Sequence, residues 1–77
     1  MYENKRTIRF ADTDDVKKFV KAASECEFDI DVVYNRIVID AKSILGVLAL
    51  GLDKNLTVGY GGNNDKFENV VDELAVA

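Results

Sequence analysis

Asp12, Thr13, Asp14 and Asp15 put three carboxylates and a hydroxyl into one short run just ahead of an apolar-periodic stretch. Such a run could accept a phosphoryl group as an acyl phosphate, or hold a divalent cation. Aspartyl phosphorylation needs a bound Mg²⁺ and a lysine or its equivalent to neutralise the group in transfer, and the run supplies neither. It also lacks the spacing and the closing Glu of a calcium loop. Asp and Thr at such a place cap a helix. The side-chain oxygen accepts a free backbone N–H, and first-turn carboxylates offset the helix dipole. Capping is the role assigned to the run, and no metal site is expected.

Ser43, preceded by Lys42, is the second place where chemistry could reside. The chain contains no histidine, so neither Ser43 nor Ser24 has an imidazole to activate it. Lys42 would serve as a base only if buried and deprotonated, and nothing in its flanks predicts burial. Cys26 is the only cysteine, which excludes an intramolecular disulfide, a CxxC redox pair and a zinc cluster. It reads as a small buried hydrophobe near a helix end. Gly59, Gly61 and Gly62 are not followed by the Lys-Ser/Thr pair of a phosphate loop and read as turn residues. No cofactor is expected.

Composition narrows the class. Seventy-seven residues, 48% of them apolar, make a single domain over 1–77 with one packed core and no room for a deep catalytic cavity. The formal charge of −4 and the scatter of Lys and Arg among Asp and Glu argue against nucleic acid, which rewards a concentrated positive face. The longest mainly apolar run, Ile44 to Leu52, falls well short of the ~20 residues that span a bilayer. No charged-then-apolar leader opens the sequence. No membrane contact and a cytoplasmic location are the expectations.

The elements that must position these residues follow from periodicity. Thr7 to Phe10 alternates as a first strand, with Met1 to Arg6 as a polar tag that frays or extends it. Val16, Phe19, Val20 and Ala23 recur at helical spacing behind the acidic cap, which leaves Lys17, Lys18 and Lys21 to solvent. From Phe28 the period becomes two, with Phe28, Ile30, Val32 and Tyr34 on one face. Asn35-Arg36 fits a tight turn, since Asn tolerates positive φ, although Arg is a poorer turn residue than Gly and a longer loop stays open. Arg36 to Asp40 returns as the hairpin partner.

Ser43 opens a short helix that closes near Gly51. Leu56, Val58 and Tyr60 form one face of a last strand, and Asn63, Asn64 and Asp65 cap a terminal helix with the stripe Phe67, Val70, Val71 and Leu74. The order is βαββαβα. One-sided helices and half-polar strands predict an α+β, two-layer sandwich, an antiparallel sheet of four strands with three helices on one face. A right-handed crossover through the first helix leaves a gap between the first two strands that the last strand can fill, as in a split β-α-β unit.

The stretch Ala41-Lys42-Ser43-Ile44-Leu45-Gly46-Val47-Leu48-Ala49-Leu50-Gly51-Leu52 resembles the central segment of HPr, the histidine-containing phosphocarrier of the sugar phosphotransferase system. The resemblance implies the open-faced sandwich of that family and its strand order. In the family a histidine followed by Ala-Arg-Pro sits just before the first helix and accepts phosphate beside backbone N–H groups. Counting back without gaps from Ser24 and Val20 puts Asp12 at the histidine, Asp14 at the arginine and Asp15 at the proline. A cationic clamp is thus replaced by carboxylates. Two charges ~4 Å apart at a protein surface interact by up to about 4 kcal/mol, so the cluster repels a phosphoryl donor.

The resemblance also gives Ser43 a second role beside capping. In many Gram-positive relatives the matching serine is phosphorylated by a dedicated kinase, and the modified protein acts as a corepressor of carbon-catabolite genes. The equivalents of Ile44, Leu45 and Leu48 belong to the family's docking patch for Enzyme I, transporter subunits and the catabolite regulator. By helical spacing Ile44, Val47 and Leu48 share a face. Val47, with Ile44 beside it, is expected in the core, and Leu45 and Leu48 are expected as exposed anchors.

Two classes of function follow. The favoured one is a non-enzymatic HPr-like interaction or regulatory module of a bacterial phosphotransferase system. Its partners would be phosphotransferase components, a serine kinase or a transcriptional regulator. The alternatives are a phosphocarrier that uses Asp12 or Ser43 as a transient acceptor, and a structural domain whose apolar helix pairs with itself.

Overall fold

A computed structural model describes residues 3–76. Met1 and Tyr2 of the N-terminal tag, and Ala77, lie outside the described residues. The elements are β1 (Asn4–Ile8), α1 (Thr13–Ser24), β2 (Ile30–Tyr34), β3 (Ile37–Asp40), α2 (Ile44–Leu50), β4 (Leu56–Tyr60) and α3 (Asp65–Leu74). The order is βαββαβα, and the strands form one antiparallel four-stranded sheet in the order β1-β4-β2-β3. The last strand therefore fills the gap between the first two, as the crossover argument requires.

Alternation decides which face of the sheet meets the helices. Ile8, Leu56, Val58, Tyr60, Ile30 and Val32 point inward and are buried together with Val16, Phe19, Phe67 and Val71 from α1 and α3. Phe10, Phe19, Phe67 and Tyr60 make successive edge or tilted ring contacts, with centroids 5.1–5.7 Å apart, through the middle of that layer. Such contacts add to the burial that a small domain needs. Val38, Val33, Thr57 and Thr7 follow one another across the opposite face, which carries no helix among the described residues.

β1 begins three residues earlier than the alternation of Thr7 to Phe10 suggests, because Asn4 to Arg6 pair with Tyr60 to Val58. Arg6 can occupy an inward position because it reaches α3, where its guanidinium binds Asp72 at 2.8 Å and lies 3.9 Å from Glu68. Phe10 leaves the sheet but stays buried, while Asp53 N–H bonds its carbonyl at 2.8 Å. At the far end of the sheet, Tyr34 pairs with Ile37, so the hairpin loop is Asn35-Arg36 alone, with Asn35 at φ 54°.

Helix α2 packs against α1 and, through a glycine, against β3. A methyl group on Gly46 would lie 2.7 Å from Cγ2 of Ile39, so the missing side chain is what lets the helix sit down on the hairpin.

Candidate functional site

The loop before α1 is held shut by its own carboxylates. Asp12 Oδ1 accepts the Asp15 N–H at 3.0 Å, and Asp15 Oδ2 accepts the Ala11 N–H at 2.9 Å. This reciprocal pair works as a capping box does, tying the chain entry to the first turn. Asp14 adds a further exposed carboxylate to that turn. Among the described residues no group of three or more His, Cys, Asp or Glu is placed to hold a metal ion. The loop and first turn present the carboxylates of Asp12, Asp14 and Asp15 to an approaching anion, while the loop's one cation, Arg9, donates through Nε to Asn55 Oδ1 at 3.2 Å.

Ser43 caps α2, its Oγ accepting the Gly46 N–H at 3.3 Å and its carbonyl the Val47 N–H at 3.0 Å. The residue is exposed. Lys42 is not poised as a base toward it. Its Nζ donates to the Cys26 carbonyl at 2.9 Å, pinning the start of α2 to the end of α1. Cys26 is buried, as its size and setting imply, and burial pushes its thiol pKa up. A thiol held protonated is a poor nucleophile.

The apolar face of α2 divides differently from the simple helical projection. Val47 and Leu50 are the buried residues, whereas Ile44 is 38% exposed, Leu45 78% and Leu48 37%. The inward side of the helix is Val47 and Leu50, with Gly46 seated on Ile39, and Ile44 lies outside it. Leu52, just past the helix, is likewise 37% exposed. Ile44, Leu45 and Leu48 are neighbours by helical spacing and together expose apolar surface of the kind that commonly marks an interface.

The sequence reading did not single out Leu52, Tyr34 and Lys54 for this region. Lys54 Nζ lies 5.0 Å from the centre of the Tyr34 ring, and the same side chain passes 3.4 Å from where a methyl on Gly51 would be. The contact fastens the exit of α2 to the β2–β3 hairpin. No local pattern announces it, since the two residues are brought together by the fold alone.

Other polar clusters are structural. Tyr60 Oη donates to Glu68 at 2.6 Å beside Arg6, and burial with that bond pushes the phenol up to about 12. Lys18 pairs with Glu73 across α1 and α3. A shallow open hollow near the end of α1 is lined by Glu25, Glu27, Phe28, Asn63 and Asn64.

A four-stranded split β-α-β sheet under three helices, with a capped loop before the first helix and an apolar second helix, defines the phosphocarrier-type sandwich. The family model described as the PTS HPr component phosphorylation site matches residues 13–76, and the chain belongs to the HPr family of the phosphotransferase system. The match begins at the residue after Asp12. Among solved structures, the crystal structure of HPr-C-His from Thermoanaerobacter tengcongensis is similar, with a TM-score of 0.72 and 20% identity over 91% of this chain and 92% of that one. At that identity the likeness is one of fold. No curated protein sequence matches the chain. No helix among the described residues is long and apolar enough to cross a membrane.

Proposed function

We propose that the chain is a non-catalytic HPr-family protein, a regulatory or protein-interaction module that touches phosphotransferase partners without relaying phosphate on histidine. The observation that carries this reading is a sequence without histidine joined to an α2 that leaves Ile44, Leu45 and Leu48 exposed. Asp12 occupies the place of the lost acceptor. Its carboxylate is engaged in capping and stands with those of Asp14 and Asp15, so a phosphoryl group meets a cluster of negative charge in place of a free nucleophile.

Docking through α2 needs no chemistry from the chain. Desolvated leucines at the centre of a small interface supply most of the affinity, and the capped helix holds them in place beforehand. Ser43 is the candidate regulatory site. Its hydroxyl is exposed, and a kinase that phosphorylates it would add about two negative charges beside the apolar surface and change which partner fits. A transcriptional regulator or a phosphotransferase component in a bacterial cytoplasm is the class of partner this surface suits.

Titration of the ¹⁵N-labelled chain with Enzyme I and with a catabolite-control regulator tests the reading. Shifts should centre on Ile44, Leu45 and Leu48, and Leu45→Asp or Leu48→Asp should weaken binding about tenfold or more, the loss expected for an interface anchor. Ser43→Asp should alter the affinity for at least one of the two. Binding indifferent to all three substitutions would place the interface elsewhere and refute the proposal.

A further inference from the structure

The two edges of the sheet are treated differently. The outer edge of β1 is covered at its Thr7–Arg9 end by the chain's own C-terminal segment, with Ile8 bridged to Ala75, the Val76 N–H bonded to Thr7 carbonyl at 3.0 Å and the Arg9 N–H to Leu74 carbonyl at 3.1 Å. β3 lies at the other edge, and nothing among the described residues pairs with it from outside. The Ala41 N–H bonds the Ile30 carbonyl at 2.9 Å, which sets the alternation of the β2–β3 ladder. Ile37 and Ile39 therefore bond inward, and the N–H and C=O of Val38 and the N–H of Asp40 point outward. Ile37 and Val38 are 51% and 59% exposed.

This edge is complementary to itself. Its sequence is Arg36-Ile37-Val38-Ile39-Asp40, with a cation at one end, an anion at the other and aliphatic residues between. Laid antiparallel on a second copy about Val38, it sets each Arg36 beside the other copy's Asp40, each Ile37 beside Ile39, and Val38 beside Val38. The outward Val38 groups then form a mutually hydrogen-bonded pair, as the ladder's alternation demands. A register centred on Asp40 would set carboxylate against carboxylate, and one centred on Arg36 would set guanidinium against guanidinium. Charges on edge strands usually block such pairing. Here they favour the register about Val38, the one that sets both cations beside both anions. Arg36 and Asp40 are both exposed.

We infer that the protein forms a two-fold dimer with a second copy of itself, joined by antiparallel pairing of the β3 edges about Val38 into one sheet that runs through both copies. The contact is isologous, so it closes at two and does not propagate. Four ordered edge residues bury little area, which makes the dimer a weak, reversible one.

Sedimentation of the full chain up to about 1 mM reads it, together with concentration-dependent amide shifts. The wild type should show a monomer–dimer equilibrium, with the shifts confined to Arg36–Asp40 and adjoining β2. Arg36→Asp, in an exposed turn, should weaken it about tenfold, because two attractive cross-strand pairs become repulsive. The double variant R36D/D40R should return to within about threefold of the wild type, and Arg36→Asp mixed with Asp40→Arg should prefer the mixed dimer. Val38→Lys, which puts two ammonium groups on the axis, should abolish dimers while circular dichroism shows an intact fold. A wild type that stays monomeric, reversals without effect, a folded double variant that does not recover, or shifts centred on Ile44–Leu52 would each overturn the inference.

Discussion

Helix α1 buries Val16, Phe19, Val20, Ala22 and Ala23 and turns its lysines outward, so every apolar residue of its stripe is consumed by the fold. Helix α2, built from Ile44 to Leu50 without a charged residue, buries Val47 and Leu50 and leaves Ile44, Leu45 and Leu48 in water. Both helices begin on a side chain that accepts an N–H three residues on, from Asp12 in one and Ser43 in the other. The difference lies in how much apolar surface each leaves uncovered. A helix of seven residues is short on its own, and keeping leucines exposed does nothing for its stability. A surface that costs solubility without adding to the core fits recognition of a partner.

Substitutions can break that contrast if it is wrong. The largest effect belongs to α1. Phe19→Ala removes a fully buried ring between Phe10 and Phe67 and should cost about 3–5 kcal/mol, enough to unfold much of the population of so small a domain. Leu45→Asp in α2 should move denaturant stability by less than about 0.5 kcal/mol. A comparable loss from the two variants would mean that the α2 leucines belong to the core after all.

Gly46→Ala comes next. Helix propensity alone favours alanine by up to about 1 kcal/mol, but the added methyl meets Ile39 Cγ2 at 2.7 Å, and overpacking of that kind costs about 1–3 kcal/mol. Chemical denaturation should therefore show net destabilisation. A stabilised variant would show that α2 has slack against the hairpin. Ser43→Ala and Asp12→Ala should each cost about 1 kcal/mol by calorimetry, the ordinary value of an N-cap. A much larger loss at Asp12 alone would give its loop a part beyond capping.

The last effect, a pH dependence, shows only in strong alkali. Tyr60 has its phenol raised, first by burial and then by its bond to Glu68, from 10.0 to about 12. Its protonated form is thus favoured in the folded state, and the stability this confers is complete below pH ~10 and lost as pH rises towards ~12. Denaturant midpoints across that window should fall more steeply for the wild type than for Tyr60→Phe. Equal slopes would remove Tyr60 from the account of how α3 is held to the sheet.

Much of this architecture was legible from residue order. The stripes of α1 and α3, the alternation of β2 and β4 and the caps Asp12, Ser43 and Asn64 each announce themselves locally, because burial and capping act over a few neighbouring positions. β1 was shifted because Arg6 occupies an inward position that only its distant partners in α3 make acceptable. Ile44 stands outside the core because helical spacing fixes which residues share a face but not which face packs, and that is decided where α2 meets other elements, as Gly46 meets Ile39. The Lys54–Tyr34 contact and the bond from Lys42 to the Cys26 carbonyl are likewise long-range. The absence of histidine and the apolar run were plain at once, but which leucines stay wet depends on tertiary packing.

The central claim is that this member of the HPr family acts by contact and does not relay phosphate. Incubation of the folded chain with phosphoenolpyruvate and Enzyme I, followed by intact-mass analysis at neutral pH, tests it most directly. The account predicts an unmodified mass while a histidine-bearing HPr in the same tube is phosphorylated. A hydroxylamine-sensitive phosphate on Asp12, or a phosphate on Ser43 drawn from phosphoenolpyruvate, would contradict it.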